Sequence, residues 1–226
     1  MIASIHQPNF LPWVGFFNKI LRSDIYVVFD DVQFPRGKDF AYRNQIKTMH
    51  GSKWLSVPIA NKSHMVLWNQ ALIADTEWKT THLNLISSSY QKSKYFDNVY
   101  VELHNIYSRN YTHIIDLNLD LIKVILEKLN WTGKIIHSSE LGVNLHGLDK
   151  IIGILQKLEV TEYITGEGSG SKRYIDEQTF QNLGIKLTYQ NFKENEYSQM
   201  YDGFISNLSI IDLLFNEGFE SKHLIL

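Results

Sequence analysis

The chain opens with a short apolar run, Ile2–Ile5, which leads into His6-Gln7-Pro8-Asn9-Phe10-Leu11-Pro12-Trp13 and then a helical segment, Val14–Arg22. A second apolar run, Asp24–Phe29, ends at Asp30-Asp31. Strand, helix and strand within about thirty residues form a βαβ unit, which commits the chain to a parallel sheet. Ligands of such sheets sit beyond the carboxyl ends of the strands. The first connection is stiff, because Pro8 and Pro12 fix φ and remove two backbone donors. It therefore presents His6, Gln7, Asn9 and Trp13 as candidate site residues.

The rest of the pattern extends this frame. Phe40–Lys47 and Lys53–Ile59 read as two strands of a hairpin joined by Thr48–Ser52. From about 76 to 130 the apolar positions recur at helical spacing, most clearly from Ile114 to Leu129. Strands at Lys134–His137, Thr161–Thr165 and Ile185–Tyr189 then alternate with helices at Leu148–Leu158 and Asp176–Leu183. A last helix, Ile210–Asn216, is opened by Asn207 or Ser209 and closed by Gly218. The expected fold is α/β, with a mainly parallel open sheet, helices on both faces, a hairpin excursion and a helical middle. We expect one domain over residues 1–226, with 76–130 as an insertion.

Composition narrows the function classes. Apolar residues make up 44% of the 226 positions and charged ones 20%, enough for a real core and against disorder. Net charge is −2, from 22 basic and 24 acidic residues, with no basic stripe, so nucleic acid is not an expected partner. There is no cysteine, which removes disulfides, thiolate nucleophiles and thiolate metal sites. No apolar run approaches the roughly 18 residues that span a bilayer, so a membrane is not an expected partner and the cytoplasm is the expected compartment. Twelve tyrosines and five tryptophans suit pockets for sugars and heterocycles, and also interfaces, including that of a homo-oligomer.

Three further segments offer chemistry. Asp30 and Asp31, at the end of the second strand, can bind a ligand hydroxyl or amine or orient His6, with Gln33 just beyond. Arg43, Asn44 and Lys47 on the first hairpin strand can reach an anion. The loop Thr165–Tyr174 carries Gly166, Gly168 and Gly170, whose backbone N–H groups can line a concavity, followed by Lys172, Arg173 and Tyr174. It matches neither the P-loop nor the dinucleotide fingerprint. No metal site is expected from a single histidine beside adjacent carboxylates, and no cofactor is expected beyond a nucleotide-containing substrate.

These segments resemble the WbqC-like family. The likeness rests on His6–Trp13 with Gly15-Phe16-Phe17, on Asp30–Phe34, and on Arg43-Asn44 with Ile46-Lys47. Trp54-Leu55 with Val57-Pro58 and the closing run Leu208–Asn216 complete it. Members are associated with clusters that build O-antigen and other lipopolysaccharide or surface polysaccharides. The resemblance therefore implies a bacterial transferase acting on a nucleotide-activated or phosphorylated sugar, with acyl or aminoacyl transfer to a sugar amine. In that reading His6 is the general base, Asp30 or Asp31 orients it, and the glycine loop holds phosphate. The opening also resembles the nucleotidylyltransferases of the HIGH-motif type, but Trp13-Val14-Gly15-Phe16 lacks both histidines of their His-x-Gly-His pattern. That leaves a degenerate nucleotide-binding protein as an alternative, and a non-catalytic pathway scaffold as another.

Overall fold

Apolar side chains alternate along the strands, and this places a core on each face of a parallel sheet. A computed structural model describes residues 1–60, 65–166 and 175–226. The strands β1 (Ile2–His6), β2 (Ile25–Val28), β5 (Lys134–His137), β6 (Glu162–Thr165) and β7 (Lys186–Tyr189) are all parallel, in the order β5-β2-β1-β6-β7. Tyr26 and Val28 enter one core, while Ile25 and Val27 enter the other, as a two-residue period requires.

The first core is closed by α1 (Val14–Leu21), α2 (Glu77–Tyr90), α3 (Phe96–Tyr107), α4 (Ile114–Lys128) and, near the C-terminus, α7 (Ile210–Glu217). The second is closed by α5 (Gly147–Lys157), through Ile154 and Leu155, and by α6 (Glu177–Asn182), through Phe180. A short α8 (Lys222–Ile225) packs beside α1, where Asn18 Nδ2 donates to the Ile225 carbonyl at 2.7 Å. The helical middle is thus three helices within the long crossover from β2 to β5. Ser209 caps α7 and Gly218 follows its last residue.

The hairpin is tighter than the sequence pattern suggests. β3 (Arg43–Thr48) and β4 (Gly51–Ser56) are joined by Met49 and His50 alone. Gly51 takes φ +95°, a conformation side chains disfavour, and the Thr48 hydroxyl donates to the Gly51 carbonyl at 2.8 Å. At the start of α1 a different constraint acts. A Cβ on Gly15 would lie 2.2 Å from the Trp13 ring, so only glycine lets the indole lie over the first turn.

The strand order reverses at β1. Sequence-successive strands extend from β1 through β2 to β5 on one side, and β6 and β7 lie on the other. Between β1 and β6 lies the switch point at which open α/β sheets leave a crevice.

Candidate functional site

At the carboxyl rim the structure gathers residues from four strands. His6 ends β1, Asp30 and Asp31 follow β2, His137 ends β5, and Gly166 follows β6. His6 registers with Val28, and Val28 with His137, so the two imidazoles occupy one row across three strands. Their α-carbons are therefore about 10 Å apart, two strand spacings. Phe29 N donates to the His6 carbonyl at 3.0 Å, which brings Asp30 to the same rim.

Asp30 is 2% exposed and its oxygens are fully engaged. It accepts from His137 Nδ1 at 2.9 Å, Ser138 Oγ at 3.0 Å, Ser139 N at 3.0 Å and Ser139 Oγ at 2.8 Å. Burial works to raise its pKa, but the bonds from His137, Ser139 and Ser138 outweigh it and hold the carboxyl below its ordinary value. A carboxylate only accepts, so His137 carries a proton on Nδ1, and its Nε2 has no partner among the described residues. The His137 side chain is 28% exposed, so this dyad opens to solvent on its imidazole side. Asp31 instead pairs with Lys150 of α5 at 2.5 Å and accepts from Ser138.

The expectation that an aspartate orients His6 is therefore not met: Asp30 orients His137. Sequence reading missed His137, Ser138, Ser139 and Lys150, which lie more than a hundred residues from the aspartates. The usable signal was a strand, Lys134–His137, that ends in a histidine and two serines. His6 itself donates Nδ1–H to the Gln7 carbonyl at 2.8 Å and packs edge-on against Phe16. Burial, and then the charge of Lys19, push its pKa down to about 3, so its ring is neutral but a weak base.

Other expected ligand contacts have structural duties. Asn44 Nδ2 donates to the Leu11 carbonyl at 2.7 Å, and Asn118 of α4 donates to those of Pro8 and Ala41, so both pin the loop after β1. Lys47 is 2% exposed, and its ammonium donates to the carbonyls of Tyr201 and Gly203 beneath the C-terminal segment. Neither Asn44 nor Lys47 is free for an anion. Arg43 stacks on Trp54 with 3.9 Å from guanidinium carbon to ring centroid, Trp13 packs on Gly15 and Phe192, and Gln33 is exposed opposite Leu67. By contrast, the half-buried side chains of Gln7 and Asn9 make no hydrogen bond to any described residue. Gly168, Gly170, Lys172, Arg173 and Tyr174 lie outside the described residues.

Among the described residues no three His, Asp or Glu side chains gather as a metal site requires, and no helix is long and apolar enough to cross a membrane. A cavity of about 410 Å³ bounded by Met1, Arg22, Asp24, Asn130, Lys134 and Lys222 lies at the amino ends of the strands, opposite the rim.

The WbqC-like protein family model matches residues 7–224, which include every rim residue except His6. The chain belongs to the WbqC-like family. It is also 30% identical over 223 residues to the uncharacterized protein Rv1507c of Mycobacterium tuberculosis (strain ATCC 25618 / H37Rv), covering 97% of this chain and 95% of that protein. No solved structure matches the chain significantly. The matched span of this WbqC-like chain takes in the loop after β1, both aspartates and the β5 end, all of which help build the rim.

Proposed function

We propose that this WbqC-like protein is a transferase that moves an acyl or aminoacyl group onto the amine of a nucleotide-activated or phosphorylated sugar, in surface-polysaccharide synthesis. The observation that carries the reading is the Asp30–His137 pair: an imidazole fixed by a buried carboxylate, with Nε2 open at the carboxyl rim of a parallel sheet. His6 is the poorer candidate, because burial and the charge of Lys19 push its pKa down to about 3.

In the proposed step the sugar amine attacks the carbonyl carbon of an activated acyl ester or thioester. The new C–N bond forms as the bond to the donor's leaving group breaks. The amine proton passes to His137 Nε2 and from there to the leaving group. The chain has no cysteine, so transfer runs without a thioester on this protein. The amides of Gln7 and Asn9 supply donors for the negative charge that develops on the carbonyl oxygen. The substrate class is what the resemblance to the WbqC-like family implies.

The test is turnover of amino-sugar nucleotides with acyl donors by purified protein. His137→Gln should lower kcat by about 10²-fold or more while the melting temperature holds. Unchanged turnover in that variant would remove His137 from the base role. If no nucleotide, sugar nucleotide or acyl donor raises the melting temperature, the scaffold reading replaces the transferase. A ligand at a hundred times its Kd should stabilise by about 2.7 kcal/mol.

A further inference from the structure

β5 runs out into His137, Ser138 and Ser139, donors in a row that meet two adjacent carboxylates, Asp30 and Asp31. The central donor is shared. Ser138 is fully buried, and its hydroxyl lies 3.0 Å from Asp30 Oδ1 and 2.5 Å from Asp31 Oδ1. A hydroxyl carries one proton, so it donates to only one of the two at a time. Its oxygen meanwhile accepts from Asp30 N at 3.2 Å. Two carboxylates around a single proton repel each other, the more so where burial leaves little water to screen them.

Lys150 of α5 relieves that repulsion. It is 6% exposed, and its ammonium donates to Asp31 Oδ2 at 2.5 Å, with no other hydrogen-bond partner among the described residues. A buried ion pair gains little net stability, because desolvation offsets the attraction. Its effect here is on geometry. With its charge balanced, Asp31 stays beside Ser138 without displacing Asp30, whose other oxygen holds His137 Nδ1 at 2.9 Å. The contacts run unbroken from Lys150 through Asp31, Ser138 and Asp30 to His137.

We propose that Lys150, acting through Asp31 and Ser138, is a positioning residue that keeps Asp30 in place and so fixes the tautomer and direction of His137. This rests on reading the rim as the transferase site, and it deepens that reading by giving the neighbouring aspartates different tasks. Asp30 bonds the imidazole, and Asp31 ties α5 to Ser138.

The experiment follows the His137 ring nitrogens of the full chain by 15N NMR, with their signals assigned by their absence from His137→Gln. In the wild-type protein the neutral ring should carry its proton on Nδ1. Lys150→Met keeps the stem length and removes the charge, and the ratio of Nδ1–H to Nε2–H forms should fall about fivefold or more. Adding Asp31→Asn should restore the ratio, because neither charge is then left without its partner. A loss of packing would not be repaired by that second substitution. Ser138→Ala breaks the same chain by a smaller change and should lower the ratio roughly threefold or more; it decides the matter if Lys150→Met does not fold. A wild-type ratio in Lys150→Met or Ser138→Ala, or a double variant as low as Lys150→Met, overturns the proposal. In turnover Lys150→Met should lower kcat about tenfold and move KM less than about twofold, and an unchanged kcat also overturns it. Wild-type protein that shows the expected ratios but no turnover removes the transferase reading and leaves the positioning role standing.

Discussion

The Asp30 carboxylate accepts from His137 Nδ1 at 2.9 Å across 107 residues of chain. The contact exists because β2 and β5 are neighbours although the hairpin and three helices separate them in sequence. It turns a half-buried imidazole at a strand end into one with a fixed tautomer and a fixed direction.

Asp30→Asn should lower turnover by about 10- to 100-fold, because an amide in place of the carboxylate no longer fixes the Nδ1–H tautomer as strongly. The check is kcat against pH, compared with a thermal melt of the same sample. A structural effect alone would lower the melting temperature and leave the pH profile unmoved.

Acid should destabilise the protein before its carboxylates titrate. His82 is buried, accepts from Ser56 N at 2.9 Å through Nε2 and holds a pKa of about 4, chiefly through burial. His6 holds one of about 3. Both lie below the unfolded value of 6.5, so the unfolded chain binds protons first as pH falls. Stability contributed by the neutral rings is complete above 6.5 and is lost from there down through the folded values. Urea midpoints between pH 7 and 4 should fall steadily, and a flat profile over that range would contradict the burial of both rings.

Gly15→Ala should cost about 1–3 kcal/mol, since its Cβ would overlap the Trp13 ring. Adding Trp13→Ala should recover part of that loss, because the obstacle is then gone. Denaturant unfolding of the single and double variants measures the coupling.

Tyr90→Phe should cost about 1–3 kcal/mol. The Tyr90 hydroxyl donates to buried Asp212 at 2.6 Å and accepts from Lys47 N at 3.0 Å, so its loss strands one acceptor and one donor. Tyr197 also donates to Asp212, at 2.8 Å, and burial raises the Asp212 pKa despite both bonds. Denaturant unfolding at pH 7 is the measurement.

Local pattern made most of the elements legible. The strand at Lys134–His137 and the start of the helix at Ile210 follow from apolar spacing and turn residues that act within a few positions. The hairpin turn was read too long, because the tightness of Thr48–Gly51 depends on one backbone angle that residue types do not reveal. His6, Asp30 and Asp31 were legible as rim residues, since a βαβ unit puts its strand ends at one edge.

Sequence by itself determined that the chain makes a parallel sheet with its first two strand ends on one rim, because periodicity and turn chemistry are local forces. Only the tertiary structure decided which imidazole Asp30 holds and that Asn44 and Lys47 serve the framework. Those outcomes depend on which strand lies beside which and on what each burial leaves without water, and no stretch of neighbouring residues contains that information.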